Sequence, residues 1–394
     1  MRPGLLFLGT ERGVWVSFND GESWQQLQRN LPVTQVSDLA VSDHDLVIAT
    51  HGRSFWVMDK IDVLRQIGPE DSKGDRVRLF APAPSIRGVD DGVAVDYFLP
   101  AAQKSLAIDI LDPQGKLVQS FEGTLEEPKA KKPEDGDDGK PPKPSPRPLM
   151  KAGLNRFTWT MRYPGFTRFD RMILWTSRNQ GVMAPPAKYT ARLRVAGQTQ
   201  SQPFEVQLDP RIKNVTHEMV RARFDLAMAV SSKVSEANAA VLLARGIRQQ
   251  IDALIKHTPS PSPALRERIE KLEKRIGAVE GEIYQVRNAS RQDPLNYPIK
   301  LNDKMAGLIR VIDSAEGPVT DQSRAVFADL SSQLDGRLAA LAAVLDADLP
   351  SLNSLLAKAG PPAIERKALK ASEPGQDDDD SASAAEEEEE GGRR

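Results

Sequence analysis

Only four histidines occur in 394 residues, His44, His51, His217 and His257, and none stands at the spacing a metal site uses. There is no cysteine, which excludes disulfides, thiolate zinc sites, iron–sulfur clusters and cysteine nucleophiles. Nucleophile elbows, phosphate loops and dinucleotide fingerprints are missing too. His51 precedes Gly52 and Arg53 and reads as a strand-end residue rather than a base. No catalytic residue, cofactor site or metal site is therefore expected. Two other stretches combine residue types that could bind. Ser17-Phe18-Asn19-Asp20-Gly21-Glu22-Ser23-Trp24 sets short polar side chains around a glycine and ends on an indole. Arg162, Tyr163, Phe166, Arg168, Phe169, Arg171 and Trp175 interleave arginines with rings, a composition that can stack a sugar or pack a loop on a neighbouring domain.

The elements that position the first stretch come as a repeat. Residues 6–17 (LFLGTERGVWVS) and 46–59 (LVIATHGRSFWVMD) share one plan: an apolar strand, a threonine, a glycine turn and an aromatic–valine strand. Thr10 and Thr50 are 40 residues apart, Trp15 and Trp56 are 41 apart, and a four-stranded propeller blade occupies about 40–45 residues. The polar stretch resembles the Asp-box hairpin, S-x-D-x-G-x-T-W, of BNR propellers, with Asn19 in place of the usual aspartate. A side-chain oxygen at Asn19 or Asp20 can accept turn N–H groups, Gly21 supplies a positive φ and Trp24 folds back as a plug. Ser17, Asn19, Asp20, Gly21, Ser23 and Trp24 are thus expected to have a structural role. Closure of a propeller takes roughly four to eight blades. Residues 1–65 are expected to be incomplete terminal blades, with Trp15, Trp24 and Phe55 partly in water.

Alternating strands fill residues 77–210, among them Val93–Leu99, Leu106–Ile110, Phe157–Met161, Tyr189–Val195 and Phe204–Leu208. Asp112-Pro113-Gln114-Gly115 and Gly197 supply turns. This pattern predicts an immunoglobulin-like β-sandwich. Within it, residues 124–150 are rich in proline and mixed charge and read as a disordered loop. All five tryptophans precede residue 210, after which the pattern turns helical.

Residues 216–350 carry four apolar stripes, the strictest running Leu265, Ile269, Leu272, Ile276, Val279, Ile283 and Val286 in coiled-coil steps. Pro263 is suited to a helix start. Short connections predict an antiparallel helical bundle with a coiled-coil-like hairpin. Residues 351–394 are expected to form a disordered tail, with nine acids against two arginines after residue 376. The rest of the chain is only mildly basic, without a cluster suited to nucleic acid. No apolar run approaches the roughly 20 residues of a membrane span. The apolar run at the N-terminus is too short for a signal peptide.

Together these segments resemble the C-terminal part of the bacterial VPS10/sortilin-like Asp-box propeller proteins, a family often labelled glycosyl hydrolase. The resemblance rests on residues 6–24, 49–59, 153–165, 184–193 and 295–304, and leaves out the 124–150 stretch and the tail. It implies multidomain β plus α architecture and a secreted or periplasmic protein. Fewer than two blades against the roughly four to eight of a closed propeller call for a partner: missing upstream blades or a second chain. Two functions follow. One is a non-catalytic module that binds or scaffolds protein or glycan. The alternative is part of a sialidase-like glycoside hydrolase whose catalytic centre lies on missing upstream sequence.

Overall fold

A computed structural model describes residues 2–68, 74–125, 147–177, 181–257 and 262–372. The protein is mixed β and α, and its chain divides into two compact units. The first comprises Met1–Met161 and Pro186–Arg211; the second comprises Arg162–Pro185 and Ile212–Arg394. The sequence separates residues 1–65 from 77–210, whereas both belong to the first unit.

The first unit opens with two three-stranded antiparallel sheets. One contains β1 (Leu6–Thr10), β2 (Gly13–Ser17) and β3 (Gln25–Gln26). The other contains β4 (Val36–Ser42), β5 (Asp45–Thr50) and β6 (Phe55–Met58). A short helix, α1 (Asp62–Gln66), follows. It explains why the first 65 residues are not separate. Ile61, Val63 and Leu64 are buried in one cluster with Val14, Leu46 and Ile48 of the sheets and with Phe80 beyond. Polar ties reinforce the junction: Lys60 Nζ donates to Gly92 O at 2.8 Å, and Arg156 Nη2 donates to Lys60 O at 2.8 Å.

Eight further strands follow among the described residues. They are β7 (Arg78–Leu79), β8 (Ser85–Ile86), β9 (Val93–Leu99), β10 (Leu106–Leu111), β11 (Leu117–Glu122), β12 (Gly153–Trp159), β13 (Ala187–Val195) and β14 (Gln198–Gln207). They form a five-stranded sheet, β11-β10-β13-β14-β8, and a three-stranded sheet, β12-β9-β7. Among the described strands the β14–β8 pairing is parallel and the others are antiparallel. Trp159 of β12 lies 5.4 Å from Tyr189 and 5.8 Å from Phe204, so rings of the two sheets meet in a shared core. The β13–β14 hairpin turns on Ala196 and Gly197, both at positive φ, as a two-residue turn matched to strand twist requires. Most of the 124–150 stretch lies outside the described residues. Its ends meet where Thr124 N donates to Pro148 O and Met150 N to Thr124 O.

In the second unit α2 (His217–His257), α3 (Pro263–Ile283), α4 (Leu301–Asp313) and α5 (Asp321–Ala359) share one apolar core. Ser262 Oγ accepts from Leu265 N ahead of Pro263, and Thr320 caps α5 in the same way. The α3 seam is buried at Leu265, Ile269, Leu272, Ile276 and Ile283 and partly so at Val279, but stops there: Tyr284 is extended, and Val286 is half exposed. The helical region also does not end near residue 350. α5 runs to Ala359 and stops at Gly360, whose left-handed φ of 97° favours glycine.

Residues 361–372 then lie along the helices, contrary to the tail expected from residue 351. Asn353 exchanges two hydrogen bonds with the Ile364 backbone, at 2.8 and 2.9 Å. Gln250 does the same with Glu365 at 2.8 and 3.0 Å. Residues 373–394, which hold the acidic run, lie outside the described residues. α2 and α5 each contain an 18-residue window of mean hydropathy 1.2, but half of the α2 window is buried, and neither helix is a clear membrane span.

Candidate interaction surface

The polar hairpin between β2 and β3 is closed on itself. Ser17 is fully buried; its Oγ accepts from Gly21 N at 2.9 Å and donates to Asn19 Oδ1 at 3.0 Å. Asn19 Oδ1 also accepts from Ser23 N at 3.0 Å, and its Nδ2 donates to Ser23 Oγ at 2.9 Å. Asp20 and Gly21 both have positive φ, and the Trp24 ring folds to within 3.8 Å of the point where a Gly21 Cβ would sit. Asn19 thus supplies the acceptor the turn needs.

The paired strands β1–β2 and β5–β6 close their turns with the same hydrogen bond. Thr10 Oγ1 donates to Gly13 O at 2.9 Å; Thr50 Oγ1 donates to Ser54 O at 2.6 Å. The second turn is one residue longer, which accounts for the 40- and 41-residue spacings. From Thr10 onward, therefore, Val14, Trp15, Val16 and Ser17 correspond to Phe55, Trp56, Val57 and Met58. Before it, Leu6, Phe7, Leu8 and Gly9 correspond to Leu46, Val47, Ile48 and Ala49.

Strand alternation gives each sheet two faces. In the first, Phe7, Gly9, Val14 and Val16 form a front, and Leu6, Leu8 and Trp15 form a back. The front of the first sheet packs on the back of the second. A Cβ at Gly9 would stand 2.7 Å from Val36 Cγ1 and 3.6 Å from Leu39 Cδ1, and the shared core holds Phe7 and Val14 with Leu46, Ile48, Trp56 and Met58. The other two faces are left open. Phe55 is 75% and Val57 54% exposed on the front of the second sheet, while Leu6 and Leu8 are 38% and 45% exposed on the back of the first. The alternation in sequence shows two apolar faces per sheet, but carries no signal for which of them is covered.

The Arg162–Trp175 loop belongs to the helical unit, not to the strands that flank it. Phe166, Phe169 and Met172 are buried in the core of α2–α5. Tyr163 packs on Phe224 at 4.8 Å, and Phe169 meets the edge of Tyr284 at 5.0 Å. Arg245 lies over the Phe169 ring at 4.5 Å. Arg162 donates to Gly181 O at 2.9 Å, and Ser372 N donates to the Arg168 carbonyl. Asp303 accepts from Trp175 N and Thr176 N at 2.9 and 3.0 Å and anchors the end of the loop. Arg171 and Trp175 are exposed, and Arg162, Tyr163 and Arg168 are partly so. The loop's rings are therefore mostly taken up in packing.

Three buried carboxylates have basic partners. Asp109 is held by Arg192 and Arg194 at 2.8 Å, Glu280 by Arg245 and Arg248, and Asp348 by Lys271 and Arg275. Burial alone would raise the Asp109 carboxyl, but hydrogen bonds from Arg194, Ser120 and Arg192 outweigh it and hold it below the ordinary range. A general acid needs the opposite shift. His44 pairs with Asp62 at 2.8 Å on the surface, and His257 with Ala253 O. Among the described residues no group of three histidines or acids could hold a metal ion. The second unit also has a groove of about 700 Å³ between α4 and the start of α5, where Gly307 and Val311 face Val326 and Leu330.

No family model and no curated protein matches this chain. Its chemistry is therefore read from its own surfaces, and the open faces of the repeated sheets are the most distinctive of these.

Proposed function

We propose that this protein is a non-catalytic binding and scaffolding module of the VPS10/sortilin-like Asp-box propeller type. In this reading β1–β6 are two successive propeller blades. The sheets β7–β14 are an immunoglobulin-like sandwich, and the helices form a bundle of their own. The observation that carries the reading is the repeat itself: two sheets with equivalent threonine-locked turns, stacked front to back. The two sheets also complement each other in plan. β4 precedes the repeated pair in one and β3 follows it in the other, which together make the four strand positions of a blade. The self-contained Asp-box hairpin supports a structural role at the blade rim.

The open blade faces require partners of their own kind, either further blades or a second chain, and the module as a whole would present protein or glycan ligands. The test pairs turnover with binding. The chain should hydrolyse no member of an aryl-glycoside and sialoside panel, while an immobilised glycan and protein panel reports retention. Turnover abolished by a single carboxylate substitution would overturn the reading.

A further inference from the structure

The four residues at the open faces have buried counterparts within the same chain. Phe55, 75% exposed, corresponds to Val14 at 0%, and Val57, at 54%, to Val16 at 3%. Leu6, at 38%, corresponds to Leu46 at 0%, and Leu8, at 45%, to Ile48 at 5%. Each open position is thus one that the other sheet buries in the stack between them. Apolar side chains of this size gain by leaving water, and exposed clusters of them mark interaction surfaces.

What fits each face is also present in the chain. The front of the first sheet is covered by the back of the second. The uncovered front of the second sheet therefore matches a back-type face, and the uncovered back of the first matches a front-type face. Every copy of the chain carries one of each. Ala49 stands where the first sheet has Gly9, whose Cβ would stand 2.7 Å from Val36 of β4; the described back of the first sheet carries no counterpart of β4, so the Ala49 methyl meets no such obstacle there.

Building on the blade reading, we propose that a second copy of this chain docks head to tail. The Leu6–Leu8 face of one copy covers the Phe55–Val57 face of the next. Such a contact is heterologous: different surfaces meet, and each addition leaves one face of each kind free, so assemblies close into rings or continue.

Sedimentation velocity of the full chain across a concentration series tests this, with Phe55→Asp blocking the front and Leu8→Asp blocking the back. Wild type should grow in mass with concentration, and each variant alone should stay monomeric. An equimolar mixture of the two should form a dimer and nothing larger, because only one intact front and one intact back remain. Val57→Lys and Leu6→Lys repeat the pair with different side chains, and circular dichroism confirms that all four variants fold. A mixture that stays monomeric, variants that associate like wild type, or wild type monomeric throughout would overturn the docking. Hydrogen exchange on the same samples separates this from the blade reading. Slow exchange in β1–β6 of a monomer leaves the blades standing without the docking, and fast exchange removes both.

Discussion

Thr50 repeats in the second sheet the hydrogen bond that Thr10 makes in the first, hydroxyl to the carbonyl across the turn, at 2.6 and 2.9 Å. This fixes the alignment of the two copies to the residue, and with it the identity of the covered and open faces. A threonine in a strand is compatible with many folds. Two threonines closing the same turn ahead of the same aromatic–valine strand indicate a repeated unit.

The hairpin after β2 gives a first prediction. Ser17→Ala removes the acceptor for Gly21 N inside a fully buried site and should cost about 1–3 kcal/mol. Asn19→Asp should be neutral or stabilising, since a carboxylate keeps the acceptor for Ser17 and Ser23 and strengthens it. Urea denaturation of both variants checks the pair.

Asp109 makes stability depend on pH. Its folded carboxyl titrates below the ordinary aspartate value of about 3.9. Its contribution is therefore fully present above that value and is lost as pH falls through the folded value. Asp109→Asn should lower stability near neutrality by about 1–3 kcal/mol and flatten the acid limb of the melting-temperature profile below pH ~4. An unchanged acid limb would show that Arg192 and Arg194 do not hold the charge.

Glu280 is buried between Arg245 and Arg248, and Arg245 in turn covers Phe169 and Tyr284. Glu280→Ala leaves two guanidinium groups without their counter-charge and should cost about 3–5 kcal/mol. The same substitution should loosen the packing of the loop that carries Phe169. Near-ultraviolet circular dichroism would report that as a weakened aromatic signal.

The segment after α5 can be released selectively. A Cβ at Gly246 would stand 2.1 Å from Lys367 O, with Leu369 N at 3.0 Å. Gly246→Ala should lift residues 364–369 from α2, speeding tryptic cleavage after Arg366 and Lys367 while helical content stays the same. Unchanged cleavage rates would contradict this packing.

The helices were legible because each buries one stripe. Leu265, Ile269, Leu272 and Ile276 step at helical intervals, and Ser262 with Pro263 marks the start. The β13–β14 turn was legible from Gly197 alone. The path of residues 162–185 was not. Phe166 and Phe169 gain their burial from helices far along the chain, a pairing that no local pattern records. Residues 361–372 have no periodicity, and they are held by two amide side chains, Gln250 and Asn353, that look like ordinary helix-surface residues. At the candidate surface both faces of β5 read as apolar, so only the structure separates Val47 and Ala49 from the covered Leu46 and Ile48.

Hydroxyl-radical footprinting of the full chain tests the central claim most directly, because Phe55 and Trp56 are neighbours on opposite faces of one strand. In dilute solution Phe55 should react rapidly and Trp56 slowly. As concentration rises, Phe55 and Leu8 should lose reactivity together while Trp56 stays unchanged. Phe55 protected at every dilution, or Trp56 as reactive as Phe55, would contradict the account of two stacked sheets with one open face at each end.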